Sequence, residues 1–146
     1  MMARFLALLL WAGIAWASPP TPEGVWRVIG DKSGEAEALV RIIEREGVYE
    51  GTIVKVFPRP GVDPSALCEL CPGERKNKPV EGLAILTGMR WDGKSYAGGE
   101  ILDPDSGEIY RCGMKLSGDG QKLELRGYIM MPLLGRSQTW LRERSP

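Results

Sequence analysis

Ile109-Tyr110-Arg111-Cys112-Gly113-Met114-Lys115-Leu116 alternates with a period of two, so that Tyr110, Cys112, Met114 and Leu116 share one face while Arg111 and Lys115 lie opposite. That period belongs to a half-buried strand, whose side chains point to opposite faces in turn. Gly118-Asp119-Gly120 supplies turn chemistry. Leu123 and Leu125 then alternate with Glu124 and Arg126 as the chain runs toward Ile129. Two alternating runs flanking a tight turn read as an antiparallel hairpin.

The same pattern extends in both directions. Upstream, Tyr96 to Leu102 is a strand in which Gly98-Gly99 marks a bend or bulge, and Asp103-Pro104-Asp105-Ser106-Gly107 turns it into the run described above. Asp92-Gly93 joins it to a strand from Leu83 toward Trp91. Earlier still, Gly24 to Ile29 places Trp26 and Val28 on one face, Gly30 to Gly34 is a turn, and Leu39 to Arg45 is the next strand. Gly47 opens its return through Tyr49 to Phe57. Downstream, Pro132 to Gly135 breaks the pattern and Gln138 to Arg142 is the last strand. With 19 glycines, 11 prolines and no helical period, the chain is all-β with about eight strands joined mostly by hairpins. A single antiparallel up-and-down barrel removes the exposed edges most economically; a two-sheet sandwich is the alternative.

Pro58 to Pro79 is a long loop, with room for one helical turn and ending in the basic run Arg75-Lys76-Asn77-Lys78. Loops longer than about 12–15 residues are uncommon and often functional. The run reads as a solvated loop edge, with an anionic headgroup as the alternative. The loop holds Cys68 and Cys71; the third cysteine, Cys112, lies on the inward-looking face of its strand. Three cysteines permit one intramolecular disulfide. Cys68–Cys71 is favoured because it staples the loop, leaving Cys112 a buried thiol or an alternative partner. Zinc would need about four ligands and finds too few, and a redox pair normally sits at a helix N-terminus in a βαβ unit that is not visible here.

The amino-terminal end reads as a leader. Arg4 is followed by the uncharged apolar run Phe5 to Trp16, and Ala15-Trp16-Ala17 is the small-x-small pattern that signal peptidase accepts. The run is too short to span a ~30 Å hydrocarbon core as a helix. Cleavage after Ala17 is therefore expected, giving a periplasmic or secreted product without an acylated cysteine or a transmembrane segment. Residues 18–146 then form a single domain of 129 residues with 18 Lys and Arg against 19 Asp and Glu. Near-neutral charge gives no drive toward nucleic acid, and an oxidising compartment suits a disulfide.

Histidine is absent. That removes the commonest general base and the usual partner of a nucleophilic Ser or Cys. No catalytic residue, metal or cofactor is assigned from the sequence. Asp103 to Glu108 lacks the ligand spacing of a calcium loop and reads as a turn. Met89, Met114, Met130 and Met131 suit core packing better than copper(I). Candidate ligand-binding residues are Tyr110, Arg126, Tyr128, Arg136, Gln138 and Trp140, on the premise that polar residues of late strands line an interior. Gln138, Trp140 and Arg142 share a face by alternation; the opposing reading is that this face is merely solvated.

Gly24-Val25-Trp26 and Arg142 would be neighbours in a closed barrel, with Trp26 plugging one end beneath the Arg142 guanidinium. This arrangement is similar to the Gly-x-Trp and terminal-strand Arg of lipocalin-like (calycin) barrels; an ordinary core Trp and a surface Arg are the plainer reading. Longer stretches resemble the bacterial secreted domain of unknown function 2147. They are Gly51 to Phe57, Cys68-x-x-Cys71-Pro72-Gly73-Glu74-Arg75-Lys76, Pro79 to Leu83, Gly98 to Pro104, Gly107 to Cys112, Arg126-Gly127-Tyr128 and Leu134 to Trp140. Met130-Met131-Pro132 departs from that family's small or aromatic residues. The resemblance implies an exported calycin-like barrel and no established activity. On fold analogy the expectation is a non-enzymatic binding module for a small partly apolar ligand, lipid or envelope-derived; the alternative is an envelope protein–protein contact through the Pro58–Pro79 loop.

Overall fold

The computed structural model describes residues 13–14, 18–131, 133 and 135–144. The expected leader and its Ala15-Trp16-Ala17 cleavage pattern fall almost wholly outside the described residues. Eight strands follow in chain order: β1 (Gly24–Ile29), β2 (Ala36–Arg45), β3 (Val48–Val56), β4 (Ala84–Trp91), β5 (Tyr96–Leu102), β6 (Ile109–Leu116), β7 (Lys122–Tyr128) and β8 (Arg136–Arg142). Each pairs antiparallel with the next, and β8 returns to β1, so the sheet is a closed up-and-down barrel. A 3-10 turn, Gly73–Arg75, sits in the long β3–β4 link.

The alternating residues of β6 and β7 set their register, with Met114 opposite Leu125 and Leu116 opposite Leu123. In β5 the Gly98-Gly99 pair does introduce a bulge, because pairing shifts between Tyr96 and Gly99. Two strands begin earlier than their apolar content suggests. β2 starts at Ala36, where Ala38 pairs with Val28, and β8 starts at Arg136, opposite Gly127. Backbone pairing extends these strands past the last bulky side chain.

Inside, Trp26, Val40, Ile42, Leu86, Met89, Cys112, Met114, Leu123, Leu125 and Trp140 are almost completely buried. The Arg142 guanidinium lies over the Trp26 ring, 4.3 Å from its centroid. It also donates to the carbonyls of Gly120, Glu23 and Thr21 at 2.7, 2.6 and 2.7 Å. The Trp26 Nε1–H donates to the Pro22 carbonyl at 2.8 Å. Residues 21–23 are thereby strapped across one end of the barrel. Gly24, at φ 129°, explains the glycine two residues before the tryptophan: a Cβ there would stand 2.7 Å from the Arg142 Nη1.

The long loop folds against the outside of the barrel. Ile85 and Leu102 point away from the face that holds Leu86 and Ile101, yet both are buried beside this loop. Cys68 and Cys71 are bonded, the Cys68 Sγ lies 3.4 Å from the Pro104 carbonyl, and Arg75 donates to the Ala84 carbonyl at 3.1 Å. Gly107, at φ 74°, fits because a Cβ would meet the Leu70 carbonyl oxygen at 1.9 Å.

Two outcomes follow for stability. Trp26→Ala is expected to cost about 3–5 kcal/mol in chemical denaturation, as for other large-to-small core changes. Burial pushes the Cys112 thiol from 9.0 up to about 12. The folded state then holds a proton that the unfolded chain releases, so this contribution is complete below pH ~9 and is lost as pH rises toward ~12. Iodoacetamide at pH 8 should leave Cys112 unmodified in the native protein and alkylate it in denaturant, and Cys112→Val should show a shallower loss of stability above pH 9.

Candidate functional site

An up-and-down path collects alternate links at each end. Links 30–35, 57–83, 103–108 and 129–135 gather at one end, here the mouth; links 46–47, 92–95 and 117–121 join the 21–23 strap at the other, the base. The base half of the interior is filled by the two indoles and their aliphatic neighbours. Toward the mouth the inward positions become smaller or more polar. Ala38, Ile101, Tyr110, Gly127 and Gln138 are only half-buried there. The mouth half of the interior, the funnel, is thus less fully covered than the solid floor below it.

The sequence-predicted ligand residues divide between the two faces. Tyr110, Arg136, Gln138 and Trp140 lie on the interior face, as do their register partners Ile101, Gly127, Leu125 and Leu123. Trp140 is buried floor. Its Nε1–H donates to the Gln138 Oε1 at 2.9 Å, and the Gln138 amide nitrogen donates to the Ile29 carbonyl at 3.4 Å. This polar side chain is thus tied within the protein. Arg126 and Tyr128 alternate with the inward Leu125 and Gly127 and occupy the outer face. There Arg126 donates to the Ser137 hydroxyl at 2.8 Å and the Leu133 carbonyl at 3.3 Å, and Tyr128 stands opposite Arg111. Trp26 and Arg142 belong to the base, at the opposite end from the funnel.

The funnel rim is polar on one side. Arg136 is ion-paired with Asp31, and this partner raises its pKa. The Tyr110 hydroxyl donates to the Glu108 carboxylate, which raises the phenol's pKa above its usual value, chiefly through that bond. Asp103 acts on both groups in the same direction.

Elsewhere the mouth end is apolar and exposed. Met130 is 81% and Leu133 82% exposed in the β7–β8 link, with Ile129 and Met131 also open. Leu67 and Leu70 of the long loop and Ile109 at the start of β6 are exposed at the same end. The sequence signal lay in the apolar residues Ile129, Met130, Met131 and Leu133, but apolar residues alone do not reveal their exposure in the β7–β8 link. The four methionines do not converge, for Met89 and Met114 are core while Met130 and Met131 are exposed. Among the described residues no group of three or more Cys, Asp or Glu side chains gathers as a metal site. No helix among them is long and apolar enough to cross a membrane. Beside the basic run, a cleft of about 620 Å³ is lined by Glu74, Arg75, Lys78 and Glu81, so acidic and basic groups share it.

No curated protein matches the chain. Among solved structures it is similar to one described as "Protein HP1028 from the human pathogen Helicobacter pylori belongs to the lipocalin family". The two share 19% identity over 86% of this chain and 85% of that one, with a TM-score of 0.72. At that identity the likeness speaks for the fold, a lipocalin-like barrel. The family model described as an uncharacterized protein conserved in bacteria (DUF2147) matches residues 24–142, and the chain belongs to that family.

Proposed function

We infer that this is an exported, non-enzymatic binding module that holds a small, partly apolar ligand, lipid or envelope-derived, at the barrel mouth. The observation that carries this reading is the set of exposed apolar side chains, led by Met130 and Leu133, placed around a half-open funnel. Several large apolar side chains exposed at one end of a fold are costly in water and commonly mark a binding surface. The filled floor argues for a shallow seat, with an apolar tail lying across the β7–β8 tip and a polar end near Arg136 and Tyr110. A barrel of eight strands has an interior that side chains can fill or that can hold one small ligand; this one divides the two outcomes along its axis. A second reading, contact with an envelope protein through Pro58–Pro79, draws on the exposure of Leu67 and Leu70 on a disulfide-stapled loop.

Export predicts that protein recovered from a periplasmic or culture fraction begins at Ser18; recovery of uncleaved chain from the cytoplasm alone would overturn that part. For the ligand, the protein is titrated with Nile red, and lipid extracts of protein purified from its host are analysed by mass spectrometry. Binding of the dye, and its weakening at least about fivefold in Met130→Ser/Leu133→Ser through lost apolar contact, is the expected outcome. Equal binding by that double variant would refute the mouth as the seat. Weakening in Leu67→Ser/Leu70→Ser alone would favour the long loop.

A further inference from the structure

A second cleft lies at the base, an end to which the sequence analysis assigned no ligand-binding residue. Three segments converge there: the strap at Pro20, the β4–β5 turn from Trp91 to Tyr96, and the end of β6 with its turn, Lys115 to Gly118. Between them is a cleft of about 270 Å³. Trp91 is 55% exposed, an unusual position for so large an apolar side chain. Its ring is nonetheless backed. Tyr96, opposite it in the hairpin, lies 5.0 Å away ring to ring, and Tyr49 stands edge-on to Tyr96 at 5.0 Å. The indole is a supported platform on the cleft wall.

Two ammonium groups, Lys94 and Lys115, line the same cleft. Among the described residues neither has a carboxylate within ion-pair distance. The acids nearest in sequence are committed to their own turns. The Asp92 carboxylate accepts from the Lys94 and Ser95 amides, both at 2.8 Å. The Asp119 carboxylate accepts from the Ser117 hydroxyl at 2.6 Å and the Gln121 amide at 3.0 Å. Asp92 also acts on Lys94 through its charge, and Glu124 stands opposite Lys115 across the β6–β7 pair; the cleft thus presents an aromatic face beside two lysines, neither of them held in an ion pair among the described residues.

We propose that this base cleft binds a carboxylated sugar ring, its apolar face stacked on Trp91 and its carboxylate held between Lys94 and Lys115. Stacking needs a ring with an apolar face, and the flanking cations need an anion on that ring. The remaining rim, Ser95 and Ser117, is polar and suits hydroxyl groups. The site is separate from the mouth, so each can fail without the other.

The test is a titration of isotope-labelled protein with D-glucuronate, D-glucose, acetate and benzoate, followed by amide and indole N–H resonances. Glucuronate should move the Trp91 indole resonance together with amides of 94–96 and 115–118, and glucose and acetate should each bind at least about tenfold more weakly. Lys94→Gln and Lys115→Gln should each weaken glucuronate about tenfold with unchanged thermal midpoints, because both residues are exposed, and Trp91→Leu should abolish the shifts of 94–96 and 115–118. Absence of shifts at Trp91, acetate binding as tightly as glucuronate, benzoate binding more tightly than glucuronate, or an unaffected lysine variant would each overturn the proposal.

Discussion

The Arg142 guanidinium is the junction on which the barrel closes. Burial lowers its pKa, and a cation taken from water is strongly unfavourable unless hydrogen bonds and a compatible surface replace the lost solvation. Three carbonyl oxygens and the face of Trp26 supply that replacement. They come from three places, the strap before β1, β1 itself and the β6–β7 turn, and Arg142 ties all three to β8. One side chain near the end of the sequence therefore fixes the beginning of the fold, and the absence of a side chain at Gly24 is what lets it do so.

A plug at one end imposes an asymmetry on everything above it. Trp26 and Trp140 are among the largest fully buried side chains, and they occupy the base half of an interior that eight strands make only just wide enough to fill. Polar groups that border this floor are already satisfied, as the Trp140–Gln138–Ile29 chain of hydrogen bonds illustrates. An open lumen running the length of the barrel is thus not available. The small inward residues Ala38 and Gly127 stand near the mouth, where the links are longer and carry exposed apolar side chains.

Strand pairing was largely legible because it depends on a local period. Ile109–Leu116 occupies the span that its alternation marks out, and Gly98-Gly99 announces its bulge. The Trp26–Arg142 contact was legible because closure makes the first and last strands neighbours. Where local signals stopped, so did the reading. Ala36 and Arg136 begin strands because of what lies across from them, which no single-strand pattern records. Arg126 illustrates a different limit: its alternation with Leu123 and Leu125 already pointed outward, and grouping it with interior residues gave its charge more weight than its phase. The platform of Trp91, Tyr96 and Tyr49 joins two turns and three strands, so it exists only in three dimensions.

The cysteine sulfurs of this chain are held in unreactive forms. A thiolate, not a thiol, is the nucleophile, and a Cys112 thiol held near 12 is protonated at neutral pH and enclosed. The bonded sulfurs of Cys68 and Cys71 are buried in turn, which blocks the in-line approach that exchange requires. The closed sheet has no free edge for strand addition. What the fold leaves exposed is a set of apolar side chains at the mouth and, at the base, an indole on a cleft that Lys94 and Lys115 also line. Both are built from strand ends and the links between them, so the barrel's contribution is to hold two unlike surfaces rigidly at opposite ends of one short, closed cylinder.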